Sequence, residues 1–393
     1  MAILILGDSF TFPDGKAATN RVHTYAKGFY ENDKSVYVIS FGSSYDNLEK
    51  GTINGINFHH PFGQRKRSEY FIVRSWFKLT KYFKTVRLIR KINKNDKVEA
   101  ILVYSMELST HLFAWFLSGI TKSILIKECG EHPLRLYQNS VFKKRQGLIK
   151  LYVESYLSDG ILCISQFLIE LYKNFGISEN KLFLTPSTVD PSRFIRTSVD
   201  PPEYQYLGYF GGLTFKRDNV NLLIQAFSTI NKKYPDVRLI LGGFGSKEDN
   251  RQIQNLIQKL QIFSNVEVLN YLSRNEILSY ITNARILVMV RGNDMESQAS
   301  FPSKLTEYLC TSIPLVTVNV GEISNYLTDG LNAFIVEPEN CDRLAEKLDY
   351  VLENYPLALE VATKGKKLTD TVFNYNFQAK RIIGFIESIK ARR

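Results

Sequence analysis

The feature that most constrains this chain is an alternation of strand-length apolar runs with helical patterns, which breaks at one proline-rich stretch and then begins again. Residues 2–6 (Ala-Ile-Leu-Ile-Leu) are an uninterrupted apolar run, followed by a polar loop with Gly15 at 7–16, a helical pattern over 19–30 and a second apolar run at 35–40. Further runs at 100–104, 123–127 and 160–164, with helical patterns between them, predict a parallel sheet buried on both faces by helices. Residues 185–203 hold Pro186, Pro191, Pro201 and Pro202 and little periodicity, which predicts a linker. Beyond it, runs at 206–210, 237–241, 266–269, 286–290, 315–318 and 333–336 predict a second doubly wound sheet. The expected domains are residues 1–195 and 196–375. An amphipathic helix over 376–390 is expected to cross back to the first domain. Two such domains imply a cleft between the carboxyl ends of their strands, where ligands of these sheets bind.

The 393 residues suffice for two cores, and no run of about 18 apolar residues predicts a spanning helix. Cys129, Cys163, Cys310 and Cys341 are too far apart for a Cys-x-x-Cys metal site and read as reduced thiols, which points to the cytoplasm. The net charge of +11 is concentrated. Residues 64–97 carry twelve bases against Glu69 and Asp96, and Trp76, Phe77, Tyr82 and Phe83 recur among them at helical spacing. This pattern fits an anionic membrane surface, with a solvated helix packed on the domain as the alternative; nucleic acid is disfavoured because no recognition motif accompanies it. A second basic, aromatic stretch at 134–152 contains Lys143-Lys144-Arg145 and extends the same reading.

Four segments point to chemistry. Gly211-Gly212-Leu213-Thr214-Phe215-Lys216-Arg217-Asp218-Asn219 leads from a strand into a helix, and Leu239-Ile240-Leu241-Gly242-Gly243-Phe244-Gly245 is a strand ending in a glycine turn. Phe301-Pro302-Ser303-Lys304-Leu305-Thr306-Glu307-Tyr308 opens a third helix, and Pro186-Ser187-Thr188-Val189-Asp190-Pro191-Ser192-Arg193-Phe194 lies in the linker. In order and over essentially the whole chain, these resemble the retaining GT-B glycosyltransferases of family 4, the glycosyl transferases group 1 type. The resemblance implies an α/β, GT-B fold of two Rossmann-like domains facing a central cleft, an N-terminal one for the acceptor and a C-terminal one for the donor.

The resemblance also implies site residues. Lys216 or Arg217 would stabilise the diphosphate leaving group, and Ser303 and Lys304 would bind it at the start of their helix. Glu307 would hydrogen-bond the ribose, Gly212 and Gly15 would let backbone approach the donor, and His132, in Lys127-Glu128-Cys129-Gly130-Glu131-His132-Pro133, would contact the transferring sugar. Glu131 or Glu128 is an alternative acceptor-side base. Arg21 begins the helix after the Gly15 loop and reads either as part of that site or as solvated. Ala299 stands where the family has a carboxylate on the donor sugar, so Asp294 or Glu296 is a candidate substitute.

The expected activity is transfer of a sugar from a nucleotide diphosphate sugar to a saccharide acceptor, of hexosyltransferase type. The acceptor is read as lipid-linked, in surface polysaccharide assembly on the inner face of the cytoplasmic membrane. No cofactor is expected and no metal is required, since cationic side chains can take the metal's role. The rival readings are a nucleotide-sugar epimerase on the same fold and an inert nucleotide-sugar-binding scaffold.

Overall fold

The computed structural model describes residues 1–15, 17–42, 48–62, 69–137, 140–194, 202–270 and 272–393. Lys16, Arg65, Lys66, Arg67 and the expected boundary between residues 195 and 196 lie outside the described residues. The chain divides into two compact units, residues 1–188 with 375–393, and residues 189–374.

Unit 1 runs β1 (Ala2–Gly7), α1 (Ala17–Glu31), β2 (Ser35–Ser40), β3 (Lys50–Ile53), β4 (Ile56–His59), α2 (Phe71–Asn95), β5 (Val98–Tyr104) and α3 (Leu108–Thr121). It continues with β6 (Ile124–Cys129), α4 (Val141–Leu157), β7 (Gly160–Cys163), α5 (Gln166–Asn174) and β8 (Leu182–Leu184). The strand order is β3-β4-β2-β1-β5-β6-β7-β8, parallel except for β3. Every residue of β1 and β6 is buried, which is why these runs read as unbroken apolar stretches and not as alternation. The hairpin of β3 and β4 is an addition to the expected order. Asn54 (φ 50°) and Gly55 (φ 79°) form its two-residue turn, both left-handed as a turn matching strand twist requires.

The pleat sends neighbouring residues to opposite faces of the sheet. Ile3, Ile5, Val36 and Val38 pack with α1, while Leu4, Leu6, Ile101 and Val103 pack with Ile89 and Ile92 of α2 and Leu117 of α3. On β6, Glu128 turns to Arg21 of α1 and Lys127 to Glu154 of α4.

Unit 2 runs β9 (Tyr206–Gly212), α6 (Val220–Asn231), β10 (Arg238–Phe244), α7 (Lys247–Lys259), β11 (Val266–Leu269), α8 (Arg274–Asn283) and β12 (Ile286–Met289). There follow α9 (Met295–Ala299), α10 (Ser303–Leu309), β13 (Leu315–Val318), α11 (Ile323–Tyr326), β14 (Phe334–Val336), α12 (Cys341–Glu353) and α13 (Tyr355–Asp370). The order β11-β10-β9-β12-β13-β14 is parallel throughout and reverses direction between β9 and β12. The last helix, α14 (Tyr375–Arg392), belongs to unit 1, where Ile382, Phe385, Ile386 and Ile389 are buried in the core beneath α1.

Among the described residues no helix is long and apolar enough to cross a membrane. The cysteines are free thiols; Cys129, Cys163 and Cys310 are buried and Cys341 half-buried.

Candidate active site

In open parallel sheets a ligand crevice forms where the strand order reverses, because the two flanking strands send their connections to opposite faces. In unit 2 that point lies between β9 and β12, which pair only at Ile286 with Leu207 and Leu287 with Gly208. Past that register the strands no longer pair, and Phe210 loses its ladder partner on that side. The Tyr308 hydroxyl of α10 fills the gap, accepting from Phe210 N at 2.7 Å and donating to Phe210 O at 3.3 Å. Tyr308 is fully buried, so α10 is pinned into the opening by its last turn. Tyr308→Phe leaves a buried N–H and C=O unanswered and should cost about 1–3 kcal/mol in urea unfolding. Wild-type stability would mean that the hydroxyl does not hold α10.

One turn earlier on the same helix face stands Lys304. Its Nζ donates to Tyr209 Oη at 2.8 Å and lies 3.9 Å from Asp218 Oδ1. The Tyr209 hydroxyl in turn donates to Gly212 O at 2.8 Å. A Cβ on Gly211 would sit 2.0 Å from Lys304 Nζ, and one on Gly212 would sit 2.3 Å from Asp218 Oδ2. A Cβ at either glycine would thus displace the side chain lying across it. Thr214 fastens the next loop, donating to Asp218 Oδ2 at 2.9 Å and accepting from the amides of Arg217 and Asp218.

That fastening leaves the side chains of Lys216 and Arg217 exposed. The two differ in what they influence. Arg217 depresses the proton affinity of both Lys304 and Arg291, which places its charge among theirs.

Arg291, just past β12, is a further member of this cluster that the sequence analysis did not single out. Its guanidinium donates from Nε to Ser297 Oγ at 3.2 Å and from Nη2 to Ser300 Oγ at 2.7 Å. Burial lowers its pKa, Arg217 lowers it further, and Asp218 and Asp294 oppose them. Among the described residues no carboxylate lies within ion-pair distance of it. The signal was a lone base directly after the five-residue apolar run at 286–290.

Three cations, Arg217, Arg291 and Lys304, therefore converge on the switch point with Asp218 as their close counter-charge. Such a concentration is costly unless an anion shares it. Ser303 opens α10 behind Pro302, and Glu307, half-buried, acts on Lys304 electrostatically. Ala299 is fully buried, and Asp294 caps α9 by accepting from Ser297 N at 2.7 Å, which gives Asp294 a local task. Glu296 is half-buried beside it.

In unit 1 the order reverses between β1 and β5. Here the Asp8 carboxylate accepts from Ser105 Oγ and Thr110 Oγ1, each at 2.7 Å. Gly15 lies in the loop after β1, where a Cβ would meet Thr19 Oγ1 at 2.1 Å and Thr11 Oγ1 at 2.6 Å. His132 follows β6 and is buried; its Nδ1 accepts from Leu134 N at 3.2 Å, so the neutral ring carries its proton on Nε2.

Two expectations for unit 1 need correction. Arg21 is neither solvated nor presented to a ligand: it is buried, pairs with Glu128 Oε1 at 2.6 Å, and donates to Thr185 O and Pro186 O at 3.0 Å. Glu128 is fully enclosed by Arg21 and by Tyr25 Oη at 3.2 Å, so it has no route to an acceptor proton. Glu131 is engaged near the surface, its carboxylate accepting from Arg135 Nη1 at 2.7 Å. Among the described residues there is no group of three or more His, Cys, Asp or Glu side chains arranged to hold a metal ion.

Two doubly wound units, each with a point where its strand order reverses, have the architecture of the two-domain GT-B fold. Solved structures agree over the whole length. Sucrose-phosphate synthase from Thermosynechococcus elongatus superposes with a TM-score of 0.75 at 14% identity, covering 100% of both chains. Anabaena HepE in complex with UDP-glucose gives 0.70 at 14% identity over 99% of this chain and 100% of that one. Residues 192–368, nearly all of unit 2, match the family model described as glycosyl transferases group 1. An uncharacterized glycosyltransferase of Methanocaldococcus jannaschii is 27% identical over 162 residues, 39% of each chain. The chain spans about two fifths of the length of the curated relatives it matches.

Proposed function

We infer that this protein is a retaining glycosyltransferase of family 4 type, moving a hexosyl group from a nucleotide diphosphate sugar to a saccharide acceptor. The observation that carries the reading is the convergence of Arg217, Arg291 and Lys304 at the β9 and β12 switch point. A leaving nucleoside diphosphate gains negative charge as the glycosidic bond breaks, and fixed cations stabilise that charge without reorganising. The match of residues 192–368 to a glycosyltransferase family supports it, as does HepE, a protein of the same fold solved with UDP-glucose.

In this reading Lys304, Arg217 and Arg291 hold the diphosphate, Glu307 accepts from the ribose hydroxyls, and Ser303 lies beside the phosphates. Lys216 is a peripheral cation. His132 donates its Nε2 proton in a hydrogen bond to the transferring sugar. The departing phosphate oxygen takes the acceptor proton on the same face, so configuration is kept and no protein base is required. Cationic side chains serve where other enzymes place a metal. The acceptor is a lipid-linked saccharide of surface polysaccharide assembly, met at the inner face of the cytoplasmic membrane.

A thermal-shift panel of UDP, GDP, ADP, CMP and their sugars tests the donor site. A ligand held at 100 times its Kd should add about 2.7 kcal/mol of stability. One diphosphate and its sugars should raise the midpoint, less so in Arg217→Ala and nearly unchanged in Lys216→Ala. No shift with any nucleotide, or equal loss in both variants, would overturn the assignment.

A further inference from the structure

The layer of helices formed by α2, α3 and α4 differs from the rest of the surface in three respects. These helices total 56 residues and contain one carboxylate, Glu154, which is buried against Lys127 and Lys150. They nevertheless hold thirteen of the 27 large apolar side chains that are exposed among the described residues. Both tryptophans of the chain are among these, Trp76 being 66% and Trp115 50% exposed.

The pattern on α2 is ordered. Ile72, Trp76, Leu79 and Phe83 recur at spacings of four, three and four, and all are exposed on one helix face. The same rhythm continues as Arg87, Arg90 and Lys94, also exposed. One stripe is therefore apolar in its first half and cationic in its second. On α4, Phe142, Ile149 and Tyr156 lie seven apart with exposed Lys143, Lys144 and Arg145 beside the first of them. Lys81, one of the twelve bases of residues 64–97, is by contrast buried with its Nζ 4.7 Å from the centre of the Phe41 ring.

We propose that this three-helix face rests on an anionic lipid bilayer, with Trp76, Phe83, Trp115 and Phe142 entering the headgroup boundary and the lysines and arginines facing lipid phosphates. Aromatic and aliphatic side chains leave water at that boundary while neighbouring cations gain anionic partners, so one surface satisfies both. A second copy of the chain fits poorly. Two-fold pairing would set Arg87, Arg90 and Lys144 against the same bases, with no exposed carboxylate on these helices to answer them. The proposal deepens the lipid-linked acceptor reading but is tested without donor or acceptor, so its failure is separable from failure of sugar transfer.

The experiment is tryptophan emission and co-sedimentation of the full chain with vesicles of phosphatidylcholine alone, or mixed in equal parts with phosphatidylglycerol. Because both tryptophans lie on this face, the emission reports it alone. Anionic vesicles should shift the emission to the blue and sediment the protein, and high salt should weaken both effects. The variant Phe83→Ser/Arg87→Glu/Phe142→Ser/Lys144→Glu, whose substitutions are all on exposed side chains, should keep its thermal midpoint and partition at least about ten-fold more weakly. Emission and sedimentation indifferent to anionic vesicles would overturn the proposal. So would a blue shift produced by protein concentration alone, which would assign the face to self-association, or one produced by RNA and not by vesicles.

Discussion

Replacing Lys304 by methionine should lower kcat about 10²–10³-fold, the usual cost of removing one fixed group that stabilises transition-state charge. Methionine keeps much of the stem's packing beside Gly211 and Tyr209 and deletes the ammonium. Wild-type turnover in Lys304→Met would remove this residue from the donor site. The same group sets a pH signature. Burial, opposed by Asp218 and reinforced by Arg291, pulls the Lys304 pKa down from 10.5 to about 8. Below that pH the site carries its full charge; as pH rises through about 8 the ammonium loses its proton and nucleotide diphosphate binding should weaken. A bound diphosphate restores the proton, so binding near and above pH 8 should take up protons from buffer, read by calorimetry in buffers of different ionisation enthalpy. Stability responds in the opposite sense. Between about pH 8 and 10.5 the unfolded chain binds the proton more tightly than the folded one, so unfolding free energy at this group rises across that window, by up to about 3 kcal/mol. Lys304→Met should lack both responses. Proton uptake that persists in the variant would assign the titration to another group.

Arg21→Met should destabilise the protein by about 3–5 kcal/mol, the range seen when one partner of a buried ion pair is removed. The pair is not a surface contact: Arg21 is buried among Glu128, Tyr25 and the carbonyls of Thr185 and Pro186, and it ties α1, β6 and the segment after β8 together. Burial already pushes the Glu128 pKa up, and Arg21 is the main influence holding it down. Without the guanidinium the carboxyl takes up a proton in the folded state. Its folded pKa, already raised by burial above the unfolded one, rises further, so the penalty grows as pH rises above the ordinary carboxylate range. Urea unfolding at pH 5 and pH 8 reads this directly. The loss should be larger at pH 8; an equal loss at both would mean that Glu128 is not left as a lone buried charge.

The strands were the most legible part of the chain, because parallel strands buried on both faces must be written as short apolar runs. The hairpin of β3 and β4 was missed although Asn54-Gly55 is a strong turn signal; its flanking residues, six of the eight exposed or partly so, lack a continuous apolar run. β8 was missed because three residues carry no periodicity. At the site, the glycines and Lys304 could be placed from local order alone. Arg291 and Arg21 could not. Both are single bases whose setting depends on residues that folding brings up: Ser297 and Ser300 across a short helix for one, and Glu128, 107 positions away, for the other. Sequence distance hides which arginine is solvated, which is enclosed in an ion pair and which is held by serine hydroxyls.

The return of α14 to unit 1 sets an order on biosynthesis. Unit 1 begins to emerge from the ribosome first, yet the helix that supplies Ile382, Phe385, Ile386 and Ile389 to its core is translated only after all of unit 2. At about 5–20 residues per second, the 186 residues from 189 to 374 delay that helix by roughly 10–40 s. During this interval the apolar floor of α1 is uncovered in the nascent chain, and by its end unit 2 has every residue it needs while unit 1 still lacks its last helix. The unit made first is thus the unit finished last, and its open seam is where a chaperone would find this protein during synthesis.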